Sequence, residues 1–335
     1  LHGYNCSGDL EKIINFQINE PRKEKLLHSQ IPRAAAIQNK VSKMVRKQYE
    51  ENPFPVWIKP IKHSVPKPIH KTLQDIHIDL KEFEEQLPRS PEILVAGCGT
   101  GQHAIQTASR FTNAEVLAVD LSLSSLSYAL KKTREFDIQN IDYMQCDILD
   151  LRSLNRNFDI IECVGVLHHL SDPLAGWQVL VDILRPKGFM QIGLYSKYGR
   201  IGMRRTRGLI KEKGYTATPS DIRDFRRLIL DMDADEDPEI YAHRFSLDFF
   251  SMNECRDLVF HVQEFHFSLL EIQTALNDLG LRFLGFELSD PSVVKEFLAL
   301  NPEKKSLTSL VAWDKFEKKN PNTFKRLYLF WVQKK

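Results

Sequence analysis

Between residues 91 and 196 short apolar runs alternate with stretches of helical spacing, the runs lying near 92–96, 115–119, 141–145, 158–163 and 188–195. Alternation of this kind predicts an α/β fold, a parallel sheet with helices on both faces. The pattern breaks over 197–266. That stretch holds a basic start (Lys197, Arg200, Arg204, Arg205, Arg207), an acidic turn (Asp231–Asp237) and an aromatic, helix-like run (Phe245–Phe267), and reads as an inserted helical lid. Over 267–335 the alternation resumes, with a helix expected at Leu269–Leu279 and strands at Leu281–Glu287 and Phe324–Val332. Ahead of it all, residues 1–90 read as a helical segment followed by a proline-rich arm. Helical periodicity runs through Leu10, Ile13, Ile14 and Phe16 and again through Ile37, Val41, Met44 and Val45, punctuated by Pro21 and Pro32. A short helix is expected at Leu73–Leu87.

Composition narrows the class. In 335 residues, 46 Lys and Arg face 44 Asp and Glu, a net +2 that argues against general nucleic-acid binding. Hydrophobic residues make up 42 %, enough for a well-filled core, and no apolar run reaches the length of a membrane span. The five cysteines are odd in number and scattered, which favours reduced thiols in a cytoplasmic protein over a disulfide framework. The chain opens on Leu1 rather than Met, so it is expected to be part of something longer.

The chemistry concentrates at Glu92–Gly101, EILVAGCGTG: a buried strand, a turn with glycines at 97, 99 and 101, then a helix N-terminus. Glycine tolerates positive φ and lets backbone N–H groups approach a ligand with no Cβ in the way. A second strand, Leu117–Asp120, ends in a carboxylate about 20 residues on, the spacing at which an acidic side chain meets a ribose hydroxyl. The turn reads G-x-G-x-G and not the G-x-G-x-x-G of dinucleotide folds.

This resembles motif I of the class I S-adenosylmethionine-dependent methyltransferases. The resemblance continues through Cys146-Asp147-Ile148, through Phe158–Leu170 (FDIIECVGVLHHL) and through Leu184–Phe189 (LRPKGF), the turn before strand five. It implies a Rossmann-like sheet of seven strands, mostly parallel, with an antiparallel last strand inserted between five and six. S-adenosyl-L-methionine is the implied cofactor. Gly97, Gly99 and Gly101 would surround its methionine and ribose, Asp120 would hold the ribose and Asp147 the adenine, with Glu162 also on the cofactor side. The acidic residue common two places before the first glycine is Val95 here, which leaves the methionine amino group without an assigned partner.

Ligands of open α/β sheets lie beyond the carboxyl ends of the strands, which places the acceptor against the turn after strand four, the rim after strand five and the lid. His168 is a candidate general base, with a structural role as the alternative; Tyr195 and Tyr198 either shape or bind. In the lid run CRDLVFHVQEFHF, Arg256, suited to an anionic group, and His261 are candidate catalytic residues and Glu264 a substrate contact, while Phe260 and, ahead of the run, Phe249 and Phe250 would be aromatic walls; the competing reading is an amphipathic helix with buried phenylalanines. The spacing fits no zinc signature, and no metal is expected. The arm Gln48–Trp57, QYEENPFPVW, is either an extended segment pinned by Phe54 and Trp57 or a flap over the cofactor, with Tyr49 and Asn52 touching substrate. Together these two segments resemble the methyltransferase module found beside tetratricopeptide repeats in some bacterial proteins. That resemblance implies a repeat-containing region N-terminal to this chain as a partner. The expected activity is methyl transfer to an acceptor of unknown identity, small molecule or protein side chain. A nicotinamide-dependent oxidoreductase and a non-catalytic S-adenosylmethionine-binding protein are the alternatives.

Overall fold

The computed structural model describes residues 8–60, 63, 65–76, 78, 87–325 and 327–335. Seven strands form its centre: β1 (Glu92–Ala96), β2 (Glu115–Asp120), β3 (Ile141–Gln145), β4 (Phe158–Val164), β5 (Leu184–Leu194), β6 (Leu281–Phe286) and β7 (Tyr328–Lys334). Their order is β3-β2-β1-β4-β5-β7-β6, with β7 antiparallel to both of its neighbours and the other pairs parallel. The crossover between β1 and β4 is the point where the chain changes direction across the sheet, and ligands of such sheets bind outside the strand ends there.

Strand alternation explains why the sheet is covered on both faces. On β1, Leu94 and Ala96 join a core with Trp177, Leu180, Ile272, Trp313 and Phe330, while Ile93 and Val95 join another with Ile105, Leu126 and Trp331. The lid has a core of its own, Ile222, Phe225, Ile229, Phe249, Val259 and Phe260. Phe249 and Phe260 therefore pack inside the lid and Phe250 is exposed, so the expected aromatic walls belong to the lid's own interior and surface.

Several boundaries differ from the pattern. The Phe245–Phe267 run is not one helix: a 3₁₀ turn (Leu247–Phe249) and a helix (Met252–Phe260) precede an extended segment that bridges Ser196 through Phe267. Ser251 caps that helix, and it ends where His261 turns extended. LRPKGF is not a turn ahead of β5. Pairing starts at Leu184, and Arg185–Gly188 bulge out between Leu184 and Phe189, with Lys187 at φ 63°. β7 begins at Tyr328 rather than Phe324, and a helix spans Ile69–Asp75 where Leu73–Leu87 was expected, residues 77 and 79–86 lying outside the described residues. Pro21 does not break the N-terminal helix: the helical run from Asp9 passes through a π turn (Asn15–Asn19) immediately before it and continues over Glu20–Leu27. Among the described residues no helix is long and apolar enough to cross a membrane.

One ion network fixes β4 against the helix that follows the glycine turn. Glu162 is fully buried; it accepts hydrogen bonds from Arg110 (2.5 Å), His103 (2.9 Å) and Thr107. Burial alone would raise its pKa, but Arg110, His103 and Thr107 outweigh that and hold the carboxyl at about 2. Glu162→Ala leaves the Arg110 guanidinium buried without its closest counter-charge, a loss of about 3–5 kcal/mol, to be read from urea unfolding. The stabilisation conferred by a depressed carboxyl is present above its ordinary 4.5 and fades as pH falls toward 2. Wild-type unfolding free energy should therefore drop across that window, and Glu162→Gln should show a shallower slope there.

Candidate active site

The glycine turn is built by backbone geometry. Gly97 (φ 75°) and Gly99 (φ 53°) sit in the left-handed region, and the N–H groups of Gly97 and Cys98 both donate to the Val119 carbonyl (2.8 and 2.9 Å), fastening the turn to the end of β2. Gly99 N–H then donates to Asp120 Oδ2 (2.8 Å) and Ser122 N–H to Oδ1 (2.9 Å). Burial raises the Asp120 pKa while these backbone donors oppose the rise. A Cβ on Gly99 would lie 2.8 Å from the Phe54 carbonyl oxygen, so the bare backbone is also what lets the arm close over the turn.

A cavity of about 320 Å³ opens on this turn. At one end it is lined by Asp120, Leu121, Cys146, Asp147 and Ile148, at the carboxyl ends of β2 and β3. Asp147 is fixed as the cap of a 3₁₀ turn through Leu149 N–H (3.1 Å). Gly97, Cys98, Gly99, Gln102 and His103 line the middle, and Gly165, Val166, His169 and Tyr195, past β4 and β5, line the far end. The helix Lys40–Glu51 contributes Ser42, Val45 and Tyr49, the arm adds Phe54 and Pro55, and the lid adds Asp257. The arm is thus pinned and also roofs the cavity: Trp57 Nε1 donates to Thr100 Oγ1 (3.1 Å) and its ring packs on Tyr128.

The far end is a buried polar cluster. Tyr49 Oη donates to Asp257 Oδ1 (2.7 Å) and lies 3.1 Å from His261 Nε2. Burial raises the Asp257 pKa to about 6, with the Tyr49 hydrogen bond opposing it. His169 meets the Gln263 carbonyl through Nδ1 (2.6 Å) and stacks on His261 at 3.6 Å. Burial brings His169 down to about 4, so it is neutral at physiological pH.

Of the residues singled out by sequence, Gly97, Gly99, Asp120, Asp147, Tyr49 and Tyr195 line the cavity. The others do not. Gly101 (φ 86°) starts the Gln102–Arg110 helix, and a Cβ there would meet that of Ala129 at 2.5 Å; it is a packing glycine. Glu162 lies behind the wall in the network above. His168 is fully buried and stacked on Tyr195 at 3.8 Å, burial pushes its pKa well down, and neither ring nitrogen has a partner among the described residues. His261 lies behind the lining, against Tyr49 and His169. Arg256 turns away to Glu51 (2.8 Å) and Asn52, and Asn52 in turn holds Asn253 (2.6 Å). Glu264 is paired with Arg200 (3.0 Å) and His266 (2.6 Å), which, against its burial, keep it at about 2. Tyr198 N–H binds Ser196 Oγ (3.0 Å), just past the strand end.

Sequence reasoning missed Asp257, His169 and His103. Asp257 and His169 line the cavity, whereas their immediate neighbours Arg256 and His168 do not.

Residues 93–188 match a family model described as a methyltransferase domain. An uncharacterised protein of Synechococcus is 30 % identical over 219 residues, 60 % of this chain and 49 % of that protein. A ubiquinone biosynthesis O-methyltransferase of Xanthomonas campestris is 30 % identical over 123 residues, 36 % of this chain and 49 % of the relative. The chain thus spans about half the length of these curated relatives. Among solved structures, PKMT2 from Rickettsia typhi in complex with AdoHcy superposes with a TM-score of 0.59 at 16 % identity, over 83 % of this chain and 55 % of that one. Residues 93–188 therefore carry a methyltransferase domain, set in a seven-stranded sheet with the fold of the Rickettsia structure.

Proposed function

We propose that the chain transfers a methyl group from S-adenosylmethionine to an acceptor that enters between the Lys40–Glu51 helix and the lid. What supports this reading is the continuity of the cavity, from the Asp120 and Asp147 carboxylates past the glycine turn to Tyr49, His169, Tyr195 and Asp257. Its first end fits an adenosine: Asp120 for the ribose hydroxyls, Asp147 at the adenine, and Cys98, Cys146 and Ile148 as apolar walls. When bound, the cofactor offers a methyl group on a positively charged sulfur, which departs with the C–S electron pair as a neutral thioether.

The chain's own residues then have two tasks. Tyr49, His169 and Tyr195 enclose the acceptor and exclude water, so that the nucleophile is held close to the methyl carbon. Asp257 takes the proton that the acceptor loses, and Tyr49 holds the carboxylate in place by donating to it. His261, behind Tyr49, positions that hydroxyl.

The resemblance of arm and lid to the module found beside tetratricopeptide repeats supports a repeat region N-terminal to this chain as the partner that brings the acceptor. A reducing, cytoplasmic setting accords with Cys98, Cys146, Cys163 and Cys255, which are free and buried.

Two measurements test this reading. Asp120→Ala should weaken S-adenosylhomocysteine binding by about tenfold or more in calorimetry, a charge-assisted contact being worth roughly 1.5–3 kcal/mol; equal affinity removes Asp120 from the site. Methyl transfer from labelled S-adenosylmethionine into cell extract should rise with pH through about 6 as the Asp257 carboxyl ionises, then level off. Asp257→Asn should lose this limb and about 10²–10⁴-fold in rate while binding S-adenosylhomocysteine normally. An Asp257→Asn variant as active as wild type, or an unchanged pH profile, contradicts the assignment.

A further inference from the structure

The carboxylate of Glu162 stands behind the cavity wall in register with Val95 of β1. Val95 is the position where the resemblance leads one to expect an acid, so the negative charge is present one strand across. It does not face the cavity, because Arg110, Thr107 and His103 take its oxygens. His103 does face it. Its side chain is 26 % exposed, Nε2 donates to Glu162 at 2.9 Å, and Nδ1 makes no hydrogen bond among the described residues. The ring stands in the first turn of the Gln102–Arg110 helix, where the leading backbone N–H groups add positive potential.

We infer that His103 is the anchor for the α-carboxylate at the methionine end of the cofactor. The inference rests on the cofactor reading above. An imidazole whose Nε2–H is committed to one carboxylate donates from Nδ1 only as the imidazolium. A carboxylate at Nδ1 would then meet a cation held between two anions, Glu162 on one side and the ligand on the other. Arg110 engages Glu162 from the other side and also lies 3.7 Å from Glu287, so within this group the ring is the cation turned toward the cavity. The acidic groups lining the cavity each have a partner, Asp120 in the Gly99 and Ser122 N–H groups, Asp147 in the Leu149 N–H and Asp257 in Tyr49. Glu162 thereby acts on the cofactor through His103, the reverse of a carboxylate that meets the ammonium directly.

The experiment is calorimetry of the full chain with two ligands, S-adenosylhomocysteine and 5′-methylthioadenosine, the second lacking the amino-acid tail. His103→Gln keeps a donor for Glu162 and removes the titratable cation. It should weaken S-adenosylhomocysteine about tenfold or more, as loss of a charge-assisted contact does, and leave methylthioadenosine within about twofold. His103→Lys, which restores a cation in the same turn, should recover S-adenosylhomocysteine affinity relative to His103→Gln and leave methylthioadenosine within about twofold. Equal loss for both ligands in His103→Gln would show that His103 only supports the wall, and unchanged S-adenosylhomocysteine affinity in His103→Gln or no recovery in His103→Lys would likewise overturn the inference. Failure of wild type to bind either ligand would instead overturn the cofactor reading, and this inference with it.

Discussion

Four consecutive residues, Tyr49 to Asn52, hold the three parts of the site together. Tyr49 donates to Asp257 of the lid. Glu50 accepts from the backbone N–H groups of Leu123 (2.7 Å) and Ser124 (3.1 Å), capping the Leu123–Glu135 helix that follows β2. Glu51 and Asn52 engage Arg256 and Asn253 of the lid helix. An acidic side chain at a helix N-terminus is favourable because it meets both unpaired donors and the positive end of the dipole. Without this clasp the cavity would lose its roof and the wall of Tyr49 and Asp257 at once.

The two ends of the cavity differ in how they are held. The end at β1, β2 and β3 is made of backbone hydrogen bonds inside the sheet: the glycine turn is tied to Val119, and Asp120 is tied to the turn. The far end is assembled from side chains of three separate segments, around imidazoles that burial pushes down and the Asp257 carboxyl that burial pushes up. Arg200 lies over the Tyr195 ring at 3.7 Å and is clamped by Glu264, so the rim after β5 is tied to the lid. A site of this kind has a preformed half, and a half that depends on the arm and lid staying docked.

The sheet was legible in the sequence because five buried strands with short connections leave an unmistakable pattern, and the glycine turn because positive φ and close approach demand glycine. Asp120 followed from its place at a strand end and Asp147 from the family resemblance. The far end of the cavity was legible only as segments. Arg256 and Asp257 are adjacent on a helix and so point about 100° apart; which of them faces the cavity depends on how the lid core of Phe225, Phe249 and Phe260 sets the helix, and no local pattern carries that. His168 and His169 pose the same problem on a 3₁₀ turn. Glu162 was misplaced for a different reason. Its fate was decided by Arg110 and Thr107, more than fifty residues earlier, and only the β1–β4 register brings them together.

The most direct test of the account is a crystal structure of the full chain with S-adenosylhomocysteine bound. The account predicts the ribose hydroxyls on Asp120, the adenine beside Asp147, and the sulfur facing the wall of Tyr49, Tyr195 and Asp257 under a closed arm. A ligand seated with its sulfur away from that wall, or one that displaces the Lys40–Glu51 helix from the lid, would contradict it.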